Sequence, residues 1–350
     1  MFRNRALIIL FILFSTFIFI SSPSNSNASN NVLIQKQIKI LLLKIQILRS
    51  ELAKLKLAEA KVAPLAQLDI ETLNTSVRKA VVNILCENQS NSPFKSISGS
   101  GVIIDSRGVI LTNAHIGQYF LVKDYPTQNS MSCVIRTGSP ALPAYYAQLM
   151  YLPPMWIQNN PTTMKTSGAT GTGENDYALL AITDSANTTP LPASFSSISI
   201  DDTFTSLADN YPALLVSYPG ELVGSFIIKN SLSMSSAVSN IKQGYYFDGD
   251  TDHNLDLLDV SGTVISQAGS SGGAAVSLLT GKLIGLITTA TEAKTTDIRE
   301  LRAITLAHIN RSITKYTSQS LDAFLTQSPI SAAVNFETST ASTERAILIQ

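Results

Sequence analysis

Three short segments, each joined to an apolar run and following one another in one order, constrain this chain more than anything else in it. Thr112-Asn113-Ala114-His115 closes the run Val109 to Leu111, Asn175-Asp176 opens Tyr177-Ala178-Leu179-Leu180, and Gly269-Ser270-Ser271-Gly272-Gly273 opens Ala274 to Leu278. Short apolar runs bounded by turn residues read as buried strands, so each polar residue stands at a strand end. A serine hydroxyl is a poor nucleophile at neutral pH. It needs an imidazole to take its proton and a buried carboxylate to hold that imidazole in the right tautomer. His115, Asp176 and Ser271 are the candidates for those roles. The glycines around Ser271 suit an oxyanion hole, whose backbone N–H groups adopt a conformation that a Cβ would obstruct, with Gly269 and Ser271 as the donors. Each segment alone has a plainer reading, as a flexible loop or the start of a buried strand. Their combination does not.

On these residues the chain resembles the trypsin-like (chymotrypsin-fold) serine peptidases, and among them the bacterial Deg/HtrA-type branch. The resemblance is carried by Ser98-Gly99-Ser100-Gly101-Val102-Ile103-Ile104-Asp105, by Gly108 to His115, by Asp176 to Leu180, and by Gly269 to Gly273 with Leu283-Ile284-Gly285-Leu286. It runs from about Leu73 to about Leu325. The order His, Asp, Ser is that family's, whereas α/β-hydrolases place the serine first and subtilisins the aspartate first. The resemblance implies an all-β fold of two six-stranded antiparallel Greek-key barrels, peptide-bond hydrolysis through an acyl-enzyme intermediate, polypeptide substrates and no cofactor. Ser270 and Ala274 stand where Deg/HtrA proteins usually have Asn and Pro. No PDZ domain fits after the barrels, where a helix near Ile309 to Leu325 and a Ser/Thr-rich tail over 328–350 are expected. The Ile-Val-Gly-Gly amino terminus that activates pancreatic-type relatives has no counterpart around Arg78 to Val82.

The resemblance also places the pocket for the substrate side chain before the scissile bond in the residues preceding the nucleophile, here Ile265, Ser266 and Gln267. In relatives that select Arg or Lys an acid stands six places before the serine, and here that place is Ile265. The stretch Thr263 to Ala268 lacks a carboxylate. Burying a substrate cation there without a partner costs several kcal/mol, so cleavage after small or medium apolar residues is expected. Asp259, further upstream, is the acid whose folding into the pocket would change that expectation.

Arg3 and Arg5 precede an apolar stretch from Ala6 to Ile20, and a Ser/Asn-rich segment follows to Ala28. This is the pattern of an export signal. Its length is compatible both with cleavage near Ala28 and with retention as a membrane anchor, so residues 1–28 read as signal peptide or anchor. Export puts the protein in an oxidising compartment, where its two cysteines, Cys86 and Cys133, are expected to pair; two separate buried thiols are the alternative.

Residues 29–65 change character. Ile34, Ile38, Leu41, Ile45, Leu48, Leu52, Leu55 and Val62 follow an alternating four-then-three spacing without Gly or Pro, with Glu59 the one polar exception. That is a heptad seam, predicting a helical stalk that self-associates through residues 31–62. Lysines outnumber acids there, so a basic helix lying on an anionic membrane surface competes with it. Pro64 ends the helix, residues 66–72 read as a linker, and 73–327 as the peptidase domain.

A formal charge of zero and the lack of a basic stripe exclude the footprint of a nucleic-acid binder. No Cys/His cluster of zinc type is present. Asp248, Asp250, Asp252 and Asn254 alternate as calcium ligands do, but His253 and Asp259 stand where a calcium loop needs Gly and Glu, so a solvated loop is expected. His253 and His308 lack a partner motif and read as structural or surface residues. The strands expected are Val81 to Leu85, Gly101 to Ile104, Val109 to Thr112, Cys133 to Arg136, Ala213 to Ser217, Phe226 to Ile228, Ala274 to Leu278 and Leu283 to Ile287. Residues 153–173 read as a surface loop. Two readings without catalysis remain: a catalytically silent binding or chaperone-like module of the same fold, and a structural stalk protein with the barrels as its head.

Overall fold

A computed structural model describes residues 37–42, 44–45, 69–89, 92–165, 173–204, 210–249, 251–252, 254–290 and 299–350. The chain divides into two compact units, Met1–Leu65 and Ala66–Gln350. In the first, the described residues are helical and exposed. The export segment 1–28 and most of the heptad seam lie outside the described residues, as do Asp250 and His253. Among the described residues no helix is long and apolar enough to cross a membrane.

The second unit holds two closed antiparallel barrels of six strands each. In the first they run β1 (Val81–Asn88), β2 (Ile97–Asp105), β3 (Val109–Thr112), β4 (Met131–Thr137), β5 (Leu142–Tyr151) and β6 (Ala178–Ser185), with spatial order β1-β2-β3-β6-β5-β4. The second repeats that order with β7 (Tyr211–Ser217), β8 (Ser235–Tyr245), β9 (Leu257–Val260), β10 (Ala274–Ser277), β11 (Leu283–Ala290) and β12 (Leu301–Thr305). Closure removes every unpaired sheet edge, and alternate side chains fill each interior. Ala213, Leu215, Leu258, Val260, Ala275, Ile284 and Ala303 form the second core, joined by Ile265. The opposite faces of β7 and β10, through Leu214, Val216, Ala274 and Val276, belong instead to the larger core of the first barrel. One apolar body therefore extends from the first barrel onto the outer face of the second.

β3 coincides with the expected strand, and β1, β2, β4, β7, β10 and β11 extend or trim their expected ranges by a few residues. Phe226 to Ile228 is not a strand. It lies in a short helix, Ser225–Asn230, with no buried side chain. Without a neighbouring strand to accept them, its β-branched and aromatic residues do not express their strand preference. The linker 66–72 gives way at Ile70 to a helix, Ile70–Ala80, capped by the Asp69 carboxylate, which accepts from the N–H groups of Glu71 and Thr72 at 3.2 Å each. The region 153–173 is more than a surface loop: it contains a helix, Pro154–Asn159, and Trp156 and Met164 are buried.

The carboxy-terminal helix expected near 309–325 is two, Leu306–Thr317 and Leu321–Leu325, separated at Ser318 with φ 59°. The supposed tail 328–350 is also helical, over Pro329–Ser339 and Ala341–Leu348. Its Ala332, Ala333, Phe336 and Leu348 are buried in the large core, so burial rather than helix propensity holds it. Cys86 and Cys133 face each other across β1 and β4 and form a disulfide.

Candidate active site

Each of the three polar strand ends is set in place by a different local device. β3 ends at Thr112, and a single helical turn, Ala114–Gly117, then points His115 inward. That turn packs tightly on β6: a Cβ at Gly117 would stand 2.6 Å from the Cβ of Ala178. Asp176 precedes β6, fully buried. Its Oδ1 accepts from the His115 backbone N–H at 2.9 Å, while His115 Nδ1 lies 2.9 Å from Oδ2 and 3.1 Å from Oδ1. Asn113 Nδ2 donates to the Asp176 carbonyl at 2.8 Å. With the carboxylate on Nδ1, the imidazole carries its proton there and leaves Nε2 as the basic nitrogen.

Ser271 sits in the tight loop before β10. Gly269 and Gly272 have φ of 93° and 82°, a region that favours glycine. A Cβ on Gly272 would stand 2.0 Å from the carbonyl oxygen of Ser100. Among the described residues, the N–H groups of Gly269 and Ser271 donate to no backbone carbonyl, as an oxyanion hole requires. The Ser271 hydroxyl donates to the Thr288 carbonyl at 3.1 Å.

Two residues of this assembly carry no sequence signal. Thr288 on β11 is buried, and its hydroxyl donates to Asp176 Oδ2 at 2.8 Å while its carbonyl receives the Ser271 hydroxyl, so one residue touches both Asp176 and Ser271. Ser100 on β2, also buried, ties the Ser271 loop to the first barrel. Its N–H donates to the Ser271 carbonyl at 2.7 Å and its hydroxyl to the Gly269 carbonyl at 2.9 Å, while that hydroxyl accepts from Tyr218 N at 2.9 Å. His308 has a structural role on the far side of Asp176. Its Nδ1 lies 2.8 Å from Asp256 Oδ1, and its Nε2 lies 2.7 Å from the carbonyl of Glu174, two residues before Asp176. The Tyr177 hydroxyl donates to Ser312 on the same helix at 2.8 Å.

Of the expected pocket residues, Ile265 is fully buried in the second core and Ser266 is buried, its hydroxyl accepting from Thr263 N at 3.1 Å. Ile265 therefore stands beneath any cleft at 263–268, and Gln267 is the one of the three partly exposed. Asp259 alternates on β9 with Leu258 and Val260, which fill the second core, so it points to the opposite face from Ile265. Burial pushes its carboxyl pKa up, and Glu300 adds to the rise. Among the described residues no cluster of His, Cys, Asp and Glu is arranged to hold a metal ion.

Two barrels of this topology, with a His and an Asp from the first facing a Ser loop of the second, define the class of two-barrel peptidases. Residues 99–286, just over half of the chain, match the model of the trypsin-like peptidase domain, and the chain belongs to that family. Among solved structures the chain is similar to the active form of the Rv3671c protease from M. tuberculosis, at 16% identity and TM-score 0.40, over 70% of this chain and 84% of that one. It is also similar to Deg5, at 15% identity and TM-score 0.45, over 69% and 90%. No curated protein matches its sequence.

Proposed function

We propose that the protein is an exported serine endopeptidase that cleaves polypeptides through an acyl-enzyme, with His115, Asp176 and Ser271 as its triad. The observation that carries this reading is the buried His115–Asp176 pair, linked through Thr288 to a serine whose own N–H, like that of Gly269, donates to no backbone carbonyl among the described residues. In this reading Ser271 Oγ attacks the peptide carbonyl as its proton passes to His115 Nε2, and the N–H groups of Gly269 and Ser271 hold the developing oxyanion. His115 then gives the proton to the departing amine, and water, activated by the same nitrogen, releases the acyl half. Asp176 stays bonded to His115 and Thr288 throughout.

The absence of a carboxylate between Thr263 and Ala268, together with the placement of Asp259 on the face of β9 opposite the core that Ile265 joins, supports cleavage after small or medium apolar residues. Residues 1–28 as signal or anchor and 31–62 as an oligomerising or membrane-surface helix complete the proposal. Labelling by a fluorophosphonate probe tests it: the parent should react at Ser271, and Ser271→Ala should lose both labelling and peptide cleavage. A parent that does not label leaves the silent-module reading in its place.

A further inference from the structure

The connection from β7 to β8 makes two attachments of different kinds. Its first part lies on the segment that carries the oxyanion donors. Gly220 N and Glu221 N donate to the Ala268 carbonyl at 2.8 and 3.2 Å, and the Glu221 carboxylate accepts from Ala268 N at 3.1 Å. Gly269 is pressed against it, since a Cβ there would stand 2.7 Å from the Tyr218 carbonyl oxygen and 2.9 Å from Gly220 N. Its second part, the helix Ser225–Asn230, is held from the first barrel. Arg136 on β4, 1% exposed, donates from its two terminal nitrogens to the carbonyls of Lys229 at 2.8 Å and Ile228 at 2.9 Å. Its Nε donates to Asn83 Oδ1 at 2.7 Å, and Asn83 in turn donates to the Gly99 carbonyl at 2.7 Å. Lys229 also pairs with Glu87 of β1 at 2.9 Å.

A buried guanidinium bonded only to neutral acceptors is an uncommon and costly way to fix a surface loop. Burial lowers its pKa, as such a site should. What the anchored loop displays is apolar: Leu222 is 70% and Phe226 74% exposed, with Val223 and Ile227 partly so beside them. The direction of the loop identifies an occupant. Ser271 and the residues assigned to the acyl half belong to the second barrel. His115, which must reach the departing amine, belongs to the first, and the loop runs from Ala268 toward that barrel.

We propose that Leu222, Val223 and Phe226 form an apolar shelf that receives side chains of the substrate polypeptide just after the scissile bond, and that Arg136 with Asn83 is the positioning pair that holds this shelf in register with the oxyanion hole. The inference rests on the serine-peptidase reading above. A pocket of this kind discriminates between an apolar and a polar side chain by roughly tenfold or more in kcat/KM.

The test uses the full chain and quenched peptides identical up to the cut, with Leu, Phe, Ser or Asp at each of the first three positions after it. The readout is the ratio of kcat/KM for the apolar to the polar member, taken within each protein so that any general loss of activity cancels. The expected ratio is about ten or more in the parent, falling toward one in Leu222→Ser and Phe226→Ser. It should fall in Arg136→Met too, and a ratio unchanged there alone would assign Arg136 to stability only. Should Arg136→Met not fold, Arg136→Lys, which keeps the charge without the fork, gives the same reading. Equal rates for all peptides in a parent that labels with fluorophosphonate would overturn the shelf while sparing the triad. A parent that neither labels nor cleaves would remove both. Phe226→Ser that leaves the ratio intact but alters sedimentation or binding to anionic vesicles would overturn the proposal in favour of a second copy or a membrane.

Discussion

Glu344 offers a quantitative handle on how the carboxy-terminal helices are held. It lies in helix Ala341–Leu348, is 3% exposed, and neither carboxylate oxygen has a hydrogen-bond partner. Burial pushes its pKa from an ordinary value near 4.5 up to about 8. The neighbouring Arg345 is turned away, donating to the Leu121 carbonyl and pairing with Glu337 at 3.0 Å. The Tyr151 hydroxyl, whose ionisation the Glu344 carboxylate disfavours, is itself raised to about 12 by burial and stays neutral in the relevant window. The folded protein thus keeps a proton on Glu344 over a pH range in which the unfolded chain has lost it, so the penalty for folding is absent below about pH 4.5, grows as pH rises toward 8 and levels off above it. At about 1.4 kcal/mol per pH unit that gap amounts to about 5 kcal/mol above pH 8 and roughly 3 kcal/mol at pH 7. Glu344→Gln removes the titration while keeping most of the shape. Urea unfolding at pH 5, 7 and 9, followed by the fluorescence of Trp156, the chain's one tryptophan, should show the variant gaining on the parent by several kcal/mol between pH 5 and 9. A parent-to-variant difference independent of pH would refute the argument, because every other group titrates alike in both.

Thr288→Val should lower kcat about tenfold or more with little change in KM, since it removes a bond to the Asp176 carboxylate without touching substrate; equal kcat in the two would show that the hydroxyl does not orient the pair. Cys86→Ala with Cys133→Ala should lower unfolding stability by about 2 to 4 kcal/mol, measured by denaturant titration of oxidised parent against variant, and a change below 0.5 kcal/mol would show that the strand pairing alone holds β1 to β4. Residues 31–62 fused to a monomeric carrier should be helical and self-associate, with sedimentation as the readout; a monomer that becomes helical only on anionic vesicles would favour the membrane-surface alternative.

The sequence by itself placed His115, Asp176 and Ser271 in order at strand ends and located β1 to β4, β6, β7, β10 and β11, while β5, β8, β9 and β12 went unmarked. This was possible because the relevant signals are local: a run of buried β-branched residues, and glycines where the backbone must turn. The Cys86–Cys133 pairing was expected from an even count and from the export pattern read in residues 1–28. Tertiary structure decided the rest, and each case has a physical reason. Thr288 and Ser100 bond to residues more than a hundred positions away, across the groove between barrels, and nothing in a Thr or a Ser announces such a partner. Phe226 to Ile228 has a strand's composition, but its loop is fixed at both ends by Ala268 and Arg136 and offers no strand to pair with. Residues 328–350 have a tail's composition, rich in Ser and Thr, yet they fold as helices because Ala333, Phe336 and Leu348 find a core to enter. Propensity and pattern are properties of a segment, whereas burial belongs to the assembled molecule. Where the two disagree, burial wins.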